Sequence, residues 1–330
     1  MMASHGIVVI GRNEGERLRR CLASLRAEPV SLVYVDSCSR DGSAAWARSQ
    51  GVDVLELDGS RPLSAARARN EGFAHLLARQ PHLDFVQFVD GDCELCPGWL
   101  QRGVETLSAQ AELGAVCGRV RERDPEASIY NLLCNLEWQR QPGLIQACGG
   151  NFMARVAAFR AVGGFDNEIM AAEDNEFCLR LRRSGWKILA VDADMVWHDA
   201  ALLHFRQWWT RSRRAGLAYA QGAALHGSSP DQHFQRECRS IWFWGLGLPG
   251  ASLMLSAPTL GLSLAGLLGY PVLGMRVYRR GRDRGWSQRE ASLYACFTVL
   301  GKSPELLGML QYHYRTRWQK RDVTLIEPKG

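Results

Sequence analysis

Up to Asp92 the chain alternates short continuous apolar runs with stretches whose apolar positions recur at helical spacing. Gly6 to Ile10 (Gly-Ile-Val-Val-Ile) is a run of the first kind, as expected of a strand buried on both faces. Gly11-Arg12-Asn13-Glu14 turns the chain, and Leu18, Cys21, Leu22 and Leu25 then line one side of a helix. Leu32-Val33-Tyr34-Val35 reads as a second strand closed by Asp36, with turn chemistry over Ser37–Gly42 and a helix from Ser43. Val52 to Leu57 makes a third strand, and Ser64 is placed to cap the helix that carries Arg67, Arg69 and Asn70. Phe85 to Val89 makes a fourth. This rhythm predicts an α/β sheet with ligands at the carboxyl ends of its strands.

The fourth strand ends in Asp90-Gly91-Asp92. In an extended backbone both carboxylates leave one face, and Gly91 between them permits close approach. Paired acids there suit a hard divalent cation, Mg²⁺ or Mn²⁺, carrying substrate phosphates; a solvated turn is the competing reading. No glycine-rich fingerprint follows the first strand. Gly245-Leu246-Gly247-Leu248-Pro249-Gly250 spells one by chance, in an apolar stretch with no acid until Asp283, so a dinucleotide-binding dehydrogenase is set aside.

Further on, Gly149 and Gly150 allow a substrate close to the backbone. Phe177 and Leu181 mark the buried stripe of a helix whose first turn holds Glu173, Asp174 and Glu176. Mutual repulsion among such acids raises a carboxylate's pKa, which suits a general base near neutral pH; partnership with the helix dipole is the alternative. Ile188 to Val191 is another strand, followed by Met195-Val196-Trp197-His198.

Four of these segments, Val8–Glu14, Val35–Gly42, Ala68–Gly72 and Val89–Asp92, taken in order, resemble the successive motifs of inverting family-2 glycosyltransferases. The resemblance runs from residue 6 to about 220. It implies a GT-A type nucleotide-sugar-binding mixed sheet flanked by helices. By that resemblance Glu14 and Asp36 contact the nucleoside, Arg69 the diphosphate, Asp90 the ribose and metal, and Asp92 the metal. Asp174 becomes the base, with Glu173 in reserve, and His198 a third metal contact. Gly149 and Gly150 fall on the acceptor side. Gln207–Gly216 resembles a variant of the family's Gln/Arg/Trp segment, so Arg211 or Arg214 faces the leaving diphosphate, an interfacial Arg/Trp helix being the other reading. Ile10 and Ser37 stand where many members have Pro and a second Asp, which leaves the base open. The acids around Gly91 and Asp174 must then converge on one cleft.

Composition adds a membrane. The 330 residues carry a net charge of +6, with many Arg after residue 200. No basic helix is interleaved with base-stacking aromatics, so nucleic acid is not an expected partner. Ten Cys lack regular spacing, Cys93 and Cys96 form a lone CxxC, and no signal peptide precedes Ile7, all in keeping with free thiols in a reducing cytosol. Residues 241–275 hold no charged, amide or imidazole side chain, are interrupted by Pro249, Pro258 and Pro271, and are flanked by Arg on both sides. Basic flanks keep both ends cytoplasmic, which predicts either two passes of roughly 17 residues each or a re-entrant hairpin bending near Pro258. A hairpin buried in a soluble core is the third option. Residues 288–318 read as an amphipathic tail, with Tyr312, Tyr314 and Trp318 among Arg315, Arg317 and Lys320.

The expected organisation is a catalytic domain over 1–225 and a membrane-associated helical region over 226–330. The expected activity is transfer from a nucleotide-sugar to a lipid-linked or saccharide acceptor in cell-surface polysaccharide or glycolipid assembly, by a membrane-associated enzyme with its catalytic domain cytoplasmic. A nucleotidyltransferase acting on a sugar phosphate and a non-catalytic membrane scaffold are the alternatives.

Overall fold

The computed structural model describes residues 3–26, 28, 30–228 and 230–319. In chain order its elements are β1 (His5–Gly11), α1 (Glu16–Leu25), β2 (Ser31–Asp36), α2 (Ser43–Ser49), β3 (Asp53–Glu56), α3 (Ala65–Arg79), β4 (Phe85–Asp90), β5 (Cys93–Leu95), α4 (Trp99–Ala109) and β6 (Leu113–Glu122). There follow α5 (Ile129–Trp138), β7 (Gly143–Leu144), β8 (Phe152–Arg155), α6 (Val156–Ala161), α7 (Glu173–Arg183), β9 (Lys187–His198) and α8 (Phe205–His226). The chain goes on through α9 (Gln235–Trp242), α10 (Leu248–Met254), α11 (Gly269–Asp283) and α12 (Gln288–Tyr314).

Two compact units divide the described residues, one from 3–124 and 138–200, the other from 125–137 and 201–319. The division therefore falls at residue 200 rather than 225, and a segment centred on α5 goes with the second unit.

The first unit is built on a sheet in the order β3-β2-β1-β4-β8-β6-β9-β5, with β7 beside β9. β1 pairs in parallel with β2 and β4, as the apolar runs predict, and Ile7, Val8 and Val9 are fully buried. β8 enters antiparallel between β4 and β6, which makes the sheet mixed. Ser64 caps α3 as expected, its hydroxyl accepting from the Arg67 N–H at 3.1 Å. β9 is much longer than the apolar run 188–191: Asp192 and Asp194 interrupt the pattern, but Arg119 and Arg121 on β6 neutralise them across the sheet. Beneath the carboxyl ends of the strands, Phe88, Phe152, Phe159, Phe165 and Phe177 pack ring against ring.

The second unit is helical. α8 and α12 cross so closely that a methyl group on Gly216 would overlap the Glu305 carbonyl, and one on Gly308 the Arg213 carbonyl. The tail is thus no surface-lying amphipathic helix: Ala291, Ala295, Gly301, Pro304, Leu306 and Met309 are buried. The Trp318 side chain and Lys320 lie outside the described residues. Residues 235–254 form a first arm, α9 and α10 joined through a π-turn over Phe243–Gly247. The chain reverses over 255–261 and returns through a 3₁₀ segment, Leu262–Leu268, into α11. The reversal contains Pro258, where a bend was expected. Among the described residues no helix is long and apolar enough to cross a membrane, so two full passes find no support in these helices.

Candidate active site

The end of β4 is where the site begins. Gly91 does not open toward a ligand: its N–H donates to the Ile10 carbonyl at 2.7 Å, and a Cβ there would lie 3.1 Å from that same oxygen. The strand stops at Asp90, so Gly91-Asp92 is a turn and the alternation that would keep the two carboxylates on one face no longer applies. They part.

Asp90 turns to Arg69 and Asn151. Arg69 Nη2 donates to Asp90 Oδ1 at 2.7 Å, and Asn151 donates through Nδ2 to Asp90 Oδ2 at 3.2 Å. Asp90, expected beside the metal, is here paired with Arg69. Asp92 turns instead to His198, whose Nε2 lies 3.6 Å from Asp92 Oδ1. Antiparallel pairing of β5 with β9 sets Cys93 opposite His198 and so delivers the imidazole to the turn. One ligand atom each from Asp92, Cys93 and His198 lie within 4.8 Å of one another.

These residues fit a divalent cation. His198 Nδ1 is a buried polar atom with no hydrogen-bond partner among the described residues, and the Trp138 ring lies 4.4 Å from the His198 ring, fixing its plane. Burial, followed by the charges of Asp92 and Asp90, pushes the Cys93 thiol well up, and a soft thiolate is in any case poorly matched to Mg²⁺ or Mn²⁺. One carboxylate and one imidazole, with positions left for phosphate oxygens and water, suit Mn²⁺ or Mg²⁺.

Arg69 is the joint of the site. Only 3 % exposed, it donates through Nη1 to Glu173 Oε1 at 2.7 Å as well as to Asp90, with its guanidinium 5.4 Å from the Phe165 ring. Its expected role on the diphosphate gives way to tying the β4 acid to the first turn of α7. One side chain thus joins the acid at the end of β4 to the first turn of α7.

Glu173 is therefore held by a cation, while Asp174 beside it is not directly bridged by Arg69. The Asp174 carboxyl is raised to about 6, first by burial and next by the Glu173 charge, with Arg69 and Arg140 opposing. Repulsion from a three-acid cluster is not the main cause: Glu176 is paired with Arg180 one turn on, at 2.7 Å. The Gly149–Gly150 loop fits between these groups. A Cβ on Gly150 would lie 2.5 Å from Arg69 Nη2 and 2.8 Å from Asp90 Oδ2. Gly149, at φ +82°, faces Asp174 Oδ2 and Arg140.

At the expected nucleoside end, Glu14 is buried and pairs with Arg17 at 2.9 Å. Asp36 is fully buried, with Oδ1 accepting from the Tyr34 hydroxyl at 2.9 Å and Oδ2 from the Ser39 N–H at 2.8 Å. It braces the turn after β2 instead of facing a base. That turn is laced to the one after β1, the Asn13 N–H donating to Ser39 Oγ and the Arg40 N–H to Asn13 Oδ1. Arg211 and Arg214 sit on α8 of the second unit; Arg211 pairs with Glu137 at 2.7 Å and Arg214 is exposed. Arg211 is thus engaged by an acid instead of waiting for a diphosphate.

Asn151, Trp138 and Arg140 were not singled out by the sequence. Asn151 had a signal, since it follows the glycine pair directly. Trp138 and Arg140 had none; the Arg140 guanidinium reaches the site by bonding the Ala147 carbonyl at 2.7 Å.

Residues 6–162 match the family described as glycosyl transferase family 2. Over that stretch the chain is similar to family 2 glycosyltransferases. Residues 141–300 match a second description, glycosyl transferase family group 2, so the likeness continues into the second unit. The chain is 28 % identical over 237 residues to a pre-mycofactocin glycosyltransferase of Mycobacterium tuberculosis, which covers 67 % of this chain and 47 % of that protein. It is 27 % identical over 195 residues to the glycosyltransferase AglE of Haloferax volcanii, covering 55 % of this chain and 62 % of that one. The chain thus spans about half the length of the first of these curated relatives and less than two thirds of the second. In fold it is similar to the mannosyltransferase PcManGT of Pyrobaculum calidifontis, solved with GDP-Man and Mn²⁺: TM-score 0.60, 15 % identity, 97 % of this chain and 89 % of that one. This likeness identifies the mixed sheet and its flanking helices as a GT-A fold.

Proposed function

We propose that the chain transfers a sugar from a nucleoside-diphosphate sugar to an acceptor hydroxyl with inversion at the anomeric carbon. The observation that carries this reading is the Arg69 bridge, 2.7 Å to Asp90 and 2.7 Å to Glu173, which sets the partly buried Asp174 beside the acids at the end of β4. Asp174 takes the proton of the acceptor hydroxyl. The oxygen attacks the anomeric carbon from the face opposite the diphosphate, the bond from that carbon to the diphosphate oxygen breaks, and nucleoside diphosphate departs. One displacement with no enzyme-bound sugar inverts the centre. Asp92 and His198 would hold a divalent cation, Mn²⁺ or Mg²⁺, which when bound supplies neutralising charge to the diphosphate. The relatives' names and the GDP-Man and Mn²⁺ in the similar structure support this donor class.

The acceptor in this reading is a lipid-linked saccharide met at the cytoplasmic face of a membrane, where the arginine-flanked apolar segment holds the chain. The test is Asp174→Asn in the full chain. Donor and Mn²⁺ still raise the melting temperature, while release of UDP or GDP on adding acceptor falls at least about a hundredfold. Pyrophosphate as the released product would overturn the reading in favour of nucleotidyl transfer, and unchanged turnover would remove Asp174 as the base.

A further inference from the structure

The membrane attachment just proposed leaves its form open, and the second unit supplies the form. We infer that residues 241–275 enter a single leaflet of an anionic bilayer as a helical hairpin, with 254–262 as its deepest part and both arms returning to the same surface. The inference rests on the attachment reading and specifies it.

Three observations carry it. The first is exposure. Leu260 is 97 % exposed, Met254 78 % and Leu262 77 %, and Leu253, Leu255, Leu268 and Val272 stand more than half out of the protein. Scattered surface leucines need no explanation, but a contiguous apolar tip does.

The second is that the tip satisfies its own polar groups. The Ser256 hydroxyl donates to the Leu253 carbonyl at 2.7 Å, Thr259 to Leu255 at 2.6 Å, and Ser263 to Ser252 across the hairpin at 2.7 Å. Around the reversal the N–H groups of Leu255, Ser256, Thr259, Leu260, Gly261 and Leu262 donate to carbonyls of residues 251–259. A turn facing water has no need of such closure, whereas in hydrocarbon each open group costs several kcal/mol.

The third is order along the hairpin. Behind the tip come Trp242, Phe243, Trp244 and Tyr270, with the Tyr270 hydroxyl on the Trp244 carbonyl at 2.5 Å, and behind these the exposed Arg236, Arg239, Arg276, Arg279 and Arg280. Apolar tip, aromatic collar and cationic base match hydrocarbon, interface and phosphate headgroups.

Length fixes the depth. The arm over 241–254 rises about 21 Å at 1.5 Å per residue, more than the ~15 Å of one leaflet's hydrocarbon and well short of the ~30 Å of a bilayer. With Trp242, Phe243 and Trp244 at the interface, residues 245–254 rise about 15 Å, the depth of one leaflet's hydrocarbon.

The experiment uses the full chain with Cys38 and Cys296 changed to Ser, Leu260→Cys as the reporter, and vesicles of phosphatidylcholine and phosphatidylglycerol. The protein sediments with the vesicles, and Cys at 260 is then protected from an impermeant maleimide added outside and equally from one trapped inside. Labelling from inside means a crossing and overturns the inference. Labelling from outside on sedimented protein means attachment by another surface, and leaves the attachment reading standing alone. Failure to sediment refutes both, and protection without vesicles together with a dimeric mass assigns the tip to a second copy. Independently, Leu260→Asp lowers the vesicle partition coefficient about tenfold or more, with donor binding unchanged; unchanged partition overturns the inference.

Discussion

Gly150→Ala places one methyl group where the site has no room. Its Cβ would stand 2.5 Å from Arg69 Nη2 and 2.8 Å from Asp90 Oδ2, the two ends of one ion pair. A flexible arginine on a surface would swing aside. Here it is buried, its other terminal nitrogen is held by Glu173 at 2.7 Å, and Phe165 covers its face, so relief comes only by opening the Arg69–Asp90 contact. A charge-assisted hydrogen bond of this kind is worth about 1.5–3 kcal/mol. At 1.36 kcal/mol per decade, its loss in the transition state lowers kcat/KM by roughly 10- to 150-fold. The assay is nucleoside diphosphate release with saturating Mn²⁺, run beside a thermal melt and beside Gly250→Ala, where an added Cβ meets nothing within 4 Å. Gly150→Ala with full activity and an unchanged melting temperature would refute the argument, because the bridge would then not be what joins the two halves of the site.

Four further outcomes follow from the geometry. Because Asp174 titrates at about 6, kcat/KM rises with pH through that value and levels above it; a profile with its acid limb near 4 would contradict the burial assigned to this group. The same raised value means that Asp174 contributes stability below its unfolded pKa of about 4 that is lost as pH rises through 6. Asp174→Asn, always neutral, therefore melts higher than the parent at pH 7.5, and the difference disappears near pH 3.5. Asp92→Asn and His198→Ala each weaken Mn²⁺ binding at least about tenfold by calorimetry, while Asp90→Asn, whose carboxylate serves Arg69, weakens it less. Gly308→Ala forces α12 away from the Arg213 carbonyl of α8, costs about 1–3 kcal/mol and lowers the melting temperature by roughly 3–10 °C.

Much of the first unit is determined by the sequence alone. The runs at 6–10, 32–35 and, apart from Gln87, 85–89 lack polar alternation and are short, as a strand covered on both faces requires, and they form the parallel part of the sheet. Ser64 announces its helix because a cap is a local bond. The acids at Asp90, Asp92 and Asp174 were legible as candidates, since carboxylates at a strand end and at a helix start have little local reason to be there. The bend near Pro258 was legible too, from a residue that cannot continue a helix.

What each acid does was decided by residues far away in the chain. Asp90 and Asp92 separate because Arg69 arrives from α3 and His198 from the far end of β9, and no spacing rule reports such pairings. By position and charge alone Glu173 and Asp174 are hard to tell apart, and only the family resemblance ranks Asp174 first. One meets Arg69 and is neutralised, and the other is left raised and able to take a proton. Asp36 looks like a ligand until Tyr34 and Ser39 occupy both its oxygens, and the 288–314 helix looks amphipathic until glycines on α8 and α12 let it bury its small residues. Local propensity fixes which segments are strands and helices. Burial and ion pairing depend on which distant group the fold brings within 3 Å, and that is a property of the packed chain alone.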